Sequence, residues 1–189
     1  EISCSLVGSE MCIRDSNFVC LNIKNGFVMK LYHYTPKENS CLEKGILSVS
    51  LIPECLSHYA SRAKSEEPEV IIKWLDSTFY GRSRSIACFT EPLMLNGKLV
   101  AVDDGCLFSF DIDALIKDNL VESIYQKTKS GNGGYIEEFK KIEVNEIDYS
   151  PLDFSPYKTE EEITNVFFRH YFVVLKDGYI PPQYLTKEK

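Results

Sequence analysis

Apolar positions fall in short runs separated by glycine, proline and charged residues, a pattern that predicts short strands and helices in mixture. Leu31–Pro36 predicts a short strand carrying a histidine. Lys37–Lys44 predicts a helix that follows it, with Thr35 as N-cap, Pro36 in the first helical position, Glu38 as the capping-box acid and Gly45 as a left-handed stop. Ile46–Ile52 predicts a short strand or an extended crossing segment, and Pro53–Ala63 shows no clear period. Val70, Ile71, Trp74, Leu75 and Thr78 form a helical stripe within Pro68–Phe79, with Gly81 as terminator and Trp74 as a core anchor. Ile86–Glu91 predicts a buried strand stopped by Pro92.

Further along, Leu99–Val102 and Cys106–Phe110 predict a hairpin about Asp103-Asp104-Gly105. Asp111 then fits the N-cap of a helix through Asp113–Asn119. Val121–Tyr125 predicts a strand, Lys127–Gly134 a glycine-rich loop, Lys140–Ile147 a half-buried strand, and Asp148–Lys158 a proline-bearing loop. Thr159–Phe168 predicts a helix opened by acids, and Tyr171–Leu175 a strand ended by the turn Lys176-Asp177-Gly178. No internal repeat and no second composition regime appears. One α+β domain is the expected architecture.

The 189 residues suffice for a sizeable core, and the 44% hydrophobic and 26% charged content is that of a globular protein. The net charge of −7 argues against a nucleic-acid binder held by a broadly basic face. No apolar run approaches a membrane span. Residues 1–16 carry neither a basic n-region nor an apolar h-region, and they resemble a translated sequencing-adapter fragment of the kind found at the ends of metagenomic reading frames. Residues 1–28 are therefore expected to be a non-native or untranslated leader, with the domain running over 29–189 from Met29. Cys41, Cys55, Cys88 and Cys106 remain in that domain, without CxxC pairing or zinc-ligand spacing to a histidine. No metal is expected, and a reducing cytoplasm is the expected compartment.

The candidate chemistry lies in a few residues. Three histidines are present, His33, His58 and His170, and none belongs to a recognised nucleophile, zinc or phosphate-loop motif. His33 stands at a strand end beside a helix start, a good place to meet a polar ligand. Arg82-Ser83-Arg84 is a small basic loop able to meet a phosphate. Gly131-Asn132-Gly133-Gly134 lacks the following Lys-Ser/Thr of a phosphate loop and predicts a connector.

In order, Leu31-Tyr32-His33-Tyr34-Thr35, Leu42-Glu43-Lys44-Gly45-Ile46-Leu47, Cys88-Phe89-Thr90-Glu91-Pro92-Leu93 and Ile180-Pro181-Pro182-Gln183-Tyr184-Leu185 form a set. That set resembles the ADP-ribosyltransferase fold, in the branch that includes DNA ADP-ribosyltransferase toxins, RNA 2′-phosphotransferases and phage-defence relatives. The resemblance implies a split, antiparallel-rich sheet with flanking helices, and NAD as a substrate held in that split sheet. It implies that His33 contacts the ribose with Thr35 beside it, and that Phe89 or Tyr80 lies against nicotinamide. It also implies a late glutamate that steadies the cationic state as nicotinamide leaves.

That glutamate has no plain counterpart. Glu137 and Glu138 follow the glycine-rich segment, Glu160, Glu161 and Glu162 open the late helix, and Arg169 and His170 stand where an acidic motif would. Glu138 is the preferred candidate. The implied function is ADP-ribosyl transfer to a nucleic-acid or protein acceptor in bacterial or phage conflict. The alternative is a non-catalytic, antitoxin-like interaction domain, which the acidic surface suits. An RNA-end phosphotransferase would call for more basic positions than the chain offers.

Overall fold

The structure is a computed structural model that describes residues 28–35, 41–100, 105–129, 137–159, 162–163 and 171–188. The chain is α+β. Strand β1 (Lys30–Thr35) is followed by a short helix, α1 (Cys41–Lys44), and by β2 (Ile46–Leu47). Helices α2 (Pro53–Ser57), α3 (Ala60–Ala63) and α4 (Pro68–Asp76) come next, then β3 (Ser85–Cys88) and the small hairpin β4 (Met94–Leu95) and β5 (Lys98–Leu99). The second half holds β6 (Cys106–Asp111), α5 (Ile112–Lys117), β7 (Val121–Lys129), β8 (Glu138–Ile142), β9 (Tyr171–Leu175), β10 (Tyr179–Ile180) and β11 (Leu185–Lys187).

Two antiparallel sheets carry the core. One has the order β1-β6-β11 and the other β3-β9-β7-β8. They touch edge to edge where Tyr32 and Phe89 exchange backbone hydrogen bonds, 2.8 Å from Tyr32 N–H to Phe89 O and 2.9 Å in return. Leu31, Phe108, Phe110, Ile112, Tyr171, Val173 and Leu175 pack across both sheets as one buried cluster. All five residues of β9 are buried, so its unbroken apolar run reflects a central strand covered on both faces. Tyr171 is fully buried, and its hydroxyl accepts the Asp148 N–H at 3.0 Å, which satisfies the one polar atom that the ring brings inside.

Several expected elements form as read. Asp111 caps α5 by accepting from the N–H groups of Asp113 and Ala114. Gly45 ends α1 at φ +83°, and Gly81 and Gly178 take the left-handed region at their turns. Trp74 is half-buried against Leu56, Ile71 and Leu75, so it borders that cluster, while Val70 at 37% and Thr78 are exposed.

Other expectations are corrected. Leu99 and Cys106 do not share a hairpin. Lys98–Leu99 folds back on Met94–Leu95 about Asn96-Gly97, and Cys106–Asp111 pairs instead with β1 and β11. Asn96 and Gly97 both take positive φ, as a tight hairpin needs. Pro53–Ala63 is helical, because Leu56, Tyr59, Ala60 and Ala63 pack on α4. Lys127–Lys129 continues β7 rather than opening a loop, paired through Phe139 and Glu138 of β8. The half-buried strand at Lys140–Ile147 ends at Ile142 and turns into a single 3₁₀ turn at Val144–Glu146. The Pro36–Ser40 cap, Asp103-Asp104, the Gly131–Gly134 stretch, Glu160, Glu161 and residues 164–170 lie outside the described residues. Among the described residues, no helix is long and apolar enough to cross a membrane.

Gly45 has a second duty. A Cβ there would lie 2.1 Å from the Ile180 carbonyl oxygen, so the absence of a side chain lets α1 and β10 approach. Gly45→Ala is expected to lower stability by about 3 kcal/mol, combining a left-handed strain with a backbone clash. A urea unfolding midpoint within error of the wild type would refute that packing role.

Candidate functional site

The site begins with alternation along β1. Leu31, His33 and Thr35 share one face, and Tyr32 and Tyr34 share the other. Leu31 is buried in the main core, and Thr35 is buried at the end of the same row. His33 sits between them where β1 and β3 meet. The antiparallel register set by Tyr32 and Phe89 would place Tyr34 opposite Ala87. The side chain of His33 reaches that carbonyl instead: Nδ1 lies 2.7 Å from Ala87 O. Only a protonated Nδ1 can donate to a carbonyl, so the bond selects the Nδ1–H tautomer of the neutral ring and leaves Nε2 as an acceptor. Burial holds the His33 pKa below the usual histidine value, against the smaller opposing pull of the Ala87 bond. Among the described residues, Nε2 has no hydrogen-bond partner.

His33 and Thr35 lie on the wall of one cavity of about 230 Å³. Helix α1 adds Cys41 and Lys44 to that lining, and the Gly45–Leu47 and Leu51–Glu54 segments complete it. Thr35 Oγ1 and Cys41 Sγ share a hydrogen bond at 3.6 Å, which ties β1 to α1. Desolvation raises the Cys41 thiol pKa, so this cysteine is a buried packing group rather than an exposed nucleophile. The cavity thus combines a neutral histidine acceptor, a hydroxyl, an ammonium at Lys44, a carboxylate at Glu54 and an apolar lining from Ile46, Leu47, Leu51 and Ile52.

The structure therefore brings His33 and Thr35 together and leaves the other sequence candidates elsewhere. Phe89 meets the ring of Tyr34 edge-on at 5.9 Å, and Tyr34 belongs to the β1 face opposite His33. Tyr80 is 65% exposed, with the Arg84 guanidinium 5.8 Å from its ring centre. Glu138 lies on β8 at the outer edge of the second sheet and pairs with Lys129 at 3.3 Å. Three strand spacings separate β8 from β3, roughly 14 Å at about 4.8 Å each. Glu137 pairs with Lys127 at 2.7 Å, and Glu162 accepts from the backbone N–H groups of Lys158 and Thr159. Glu91, in the second motif, accepts the Leu152 N–H. A β-edge acid beside a lysine is the ordinary way to protect an exposed strand, which accounts for Glu138 where it stands.

The basic loop is also occupied. Arg84 pairs with Glu122 at 2.8 Å and donates to the carbonyls of Leu175 and Lys176. Arg82 lies 4.2 Å over the Phe172 ring and donates to Ser85. These contacts pin the turn to the second sheet.

Sequence reading missed Lys44 and Glu54. A signal for Glu54 was present: Pro53 followed by an acid is a helix opening, and Leu56, Tyr59, Ala60 and Ala63 continue with helical spacing. The break at Ser57–Tyr59 hid the period. Lys44 carries no local signal beyond its place in the last turn of α1.

The depressed His33 pKa has a sign that stability measurements test. Between its lowered folded value and the unfolded value of 6.5, the unfolded chain binds the extra proton, so stability rises with pH across that window. Acidification from pH 7.5 to 5.5 is expected to lower the urea midpoint of the wild type more than that of His33→Gln. Parallel midpoints in the two proteins would show that His33 titrates normally.

No family model, curated protein or solved structure matches the chain, so the reading of this site rests on its geometry and on the motifs quoted above.

Proposed function

We propose that this protein is an NAD-dependent ADP-ribosyltransferase-like protein whose His33 cavity receives the nicotinamide–ribose end of NAD, with a macromolecular acceptor. The observation that carries the reading is the seating of His33 in the fork between two sheets. One ring nitrogen is committed to Ala87, and the residue lies on a cavity that also offers Thr35, Lys44 and Glu54. A neutral imidazole with a free acceptor nitrogen suits a ribose hydroxyl, which can donate to it. Lys44 suits a phosphate oxygen as a compact cation. A volume of about 230 Å³ falls below the ~300 Å³ lower end for drug-sized ligands, so the cavity fits one end of a dinucleotide and the rest would lie outside it.

In such a transfer, the bond from the ribose C1′ to the nicotinamide nitrogen breaks and its electron pair leaves with nicotinamide. A nucleophilic atom of the acceptor forms the new bond to C1′ and gives up its proton. Positive charge gathers on the ribose between these events, and a fixed carboxylate stabilises it. The setting implied by the resemblance is bacterial or phage conflict.

A second reading has its own support. Glu138, Tyr80 and Phe89 all stand off the cavity wall, as in a domain that keeps a ligand-binding fold for interaction without catalysis. The net charge of −7 would draw a basic partner to it.

Calorimetric titration of the full chain with NAD, followed by assay of nicotinamide release, separates the readings. The transferase reading expects saturable binding and release of nicotinamide, with binding weakened about tenfold by His33→Ala, the worth of roughly one ligand hydrogen bond. Binding without release supports the interaction domain. Absence of NAD binding by a folded wild type overturns the transferase reading.

A further inference from the structure

Resting on the NAD reading above, we infer that Glu54, on the first turn of α2, is the carboxylate that faces the positive charge of the bound nucleotide, in place of any acid from the late part of the chain. Glu54 lies on the wall of the same cavity as His33. Among the described residues, its carboxylate has no ion-pair or hydrogen-bond partner, whereas Glu137, Glu138 and Glu162 are each already engaged. A carboxylate spent on a lysine or on backbone N–H groups has less to offer a ligand. One that stands open on a cavity wall keeps its full acceptor capacity.

The placement of Glu54 is built into the fold. Pro53 occupies the first helical position and fixes φ there, and the Cys55 and Leu56 N–H groups both close on Ile52 O, at 3.0 and 3.2 Å. Ser57 Oγ donates to Glu54 O at 2.7 Å. Leu56 anchors the turn, because it is buried against Ile71 and Leu75 of α4. The acid therefore projects from an anchored helical turn.

The charges around the cavity match those of the ligand in sign. Nicotinamide mononucleotide, the half of NAD that contains the nicotinamide–ribose end, carries a cationic pyridinium ring at one end and an anionic phosphate at the other. Lys44 and Glu54 give the cavity one charge of each sign. His33 stays neutral in its fork, so it adds no positive charge to oppose the ring.

The test compares NAD with its reduced form, whose nicotinamide ring is uncharged, by calorimetric titration of the full chain. Wild type is expected to bind the oxidised form about fivefold more tightly, the factor expected of one partly exposed charge pair. Glu54→Gln, isosteric at an exposed position, is expected to erase the preference while still binding both forms, and Glu54→Lys to reverse it. Circular dichroism confirms that each variant folds. Equal binding of the two forms by wild type overturns the inference and leaves the NAD reading standing. So does a preference that survives Glu54→Gln, or one that disappears in Glu138→Gln instead. Failure of a folded wild type to bind either form overturns the NAD reading, and the inference falls with it.

Discussion

At the junction of β1 and β3, the donor that meets the Ala87 carbonyl is an imidazole rather than a backbone N–H. The backbone contact made by Tyr32 and Phe89 fixes the register of the two strands, and continued pairing would bring Tyr34 against Ala87. The His33 ring occupies that path. One hydrogen bond of 2.7 Å thereby satisfies an edge carbonyl, chooses the tautomer of the ring and marks where the two sheets part. Everything proposed about the site depends on this wedge, because the cavity lies on the same face of β1.

The surrounding elements serve that fork by close approach rather than by size. Helix α1 has four residues and β2 has two, yet both are fixed. Thr35 holds Cys41, Gly45 allows the Ile180 backbone to come near, and β2 pairs with β10. Helix α2, of five residues, is held by Leu56 in a separate apolar cluster with α4. Short elements anchored at single buried side chains leave their polar residues, Lys44 and Glu54, at the cavity without long loops to order.

Charge placement separates the site from the rest of the surface. The second sheet carries ion pairs that each involve β7, Lys127 with Glu137, Lys129 with Glu138 on the edge strand β8, and Glu122 with Arg84. Exposed pairs of this kind contribute little to stability, about 0–1 kcal/mol each, but they discourage a free strand edge from joining another chain. The acids that a sequence reader meets first, clustered after a glycine-rich stretch, are occupied in that role. Glu54, isolated among apolar residues and a proline, lies at the cavity.

Residues close in sequence were enough to place much of the local structure. The Asp111 cap, the left-handed glycines at 45, 81 and 178, the helix around Ile71 and Leu75 and the buried strand Tyr171–Leu175 all follow from side-chain chemistry within a few positions. The histidine-bearing strand was legible for the same reason, and with it one half of the candidate site. What the sequence could not decide is which distant segments meet. Cys106–Phe110 carries no mark that it pairs with Leu31–Thr35 of β1 rather than with Leu99, because any apolar strand offers the same backbone donors and acceptors. Nor does an acid's place in the chain tell which cavity it faces. Glu138 and Glu54 differ little as residues, and only the packing of α2 on α4 and the ordering of β8 outside β7 set one on the cavity that His33 lines and the other at the far edge. Local propensity acts over a turn or a strand, whereas a site is assembled by long-range burial, and that is fixed by the whole core at once.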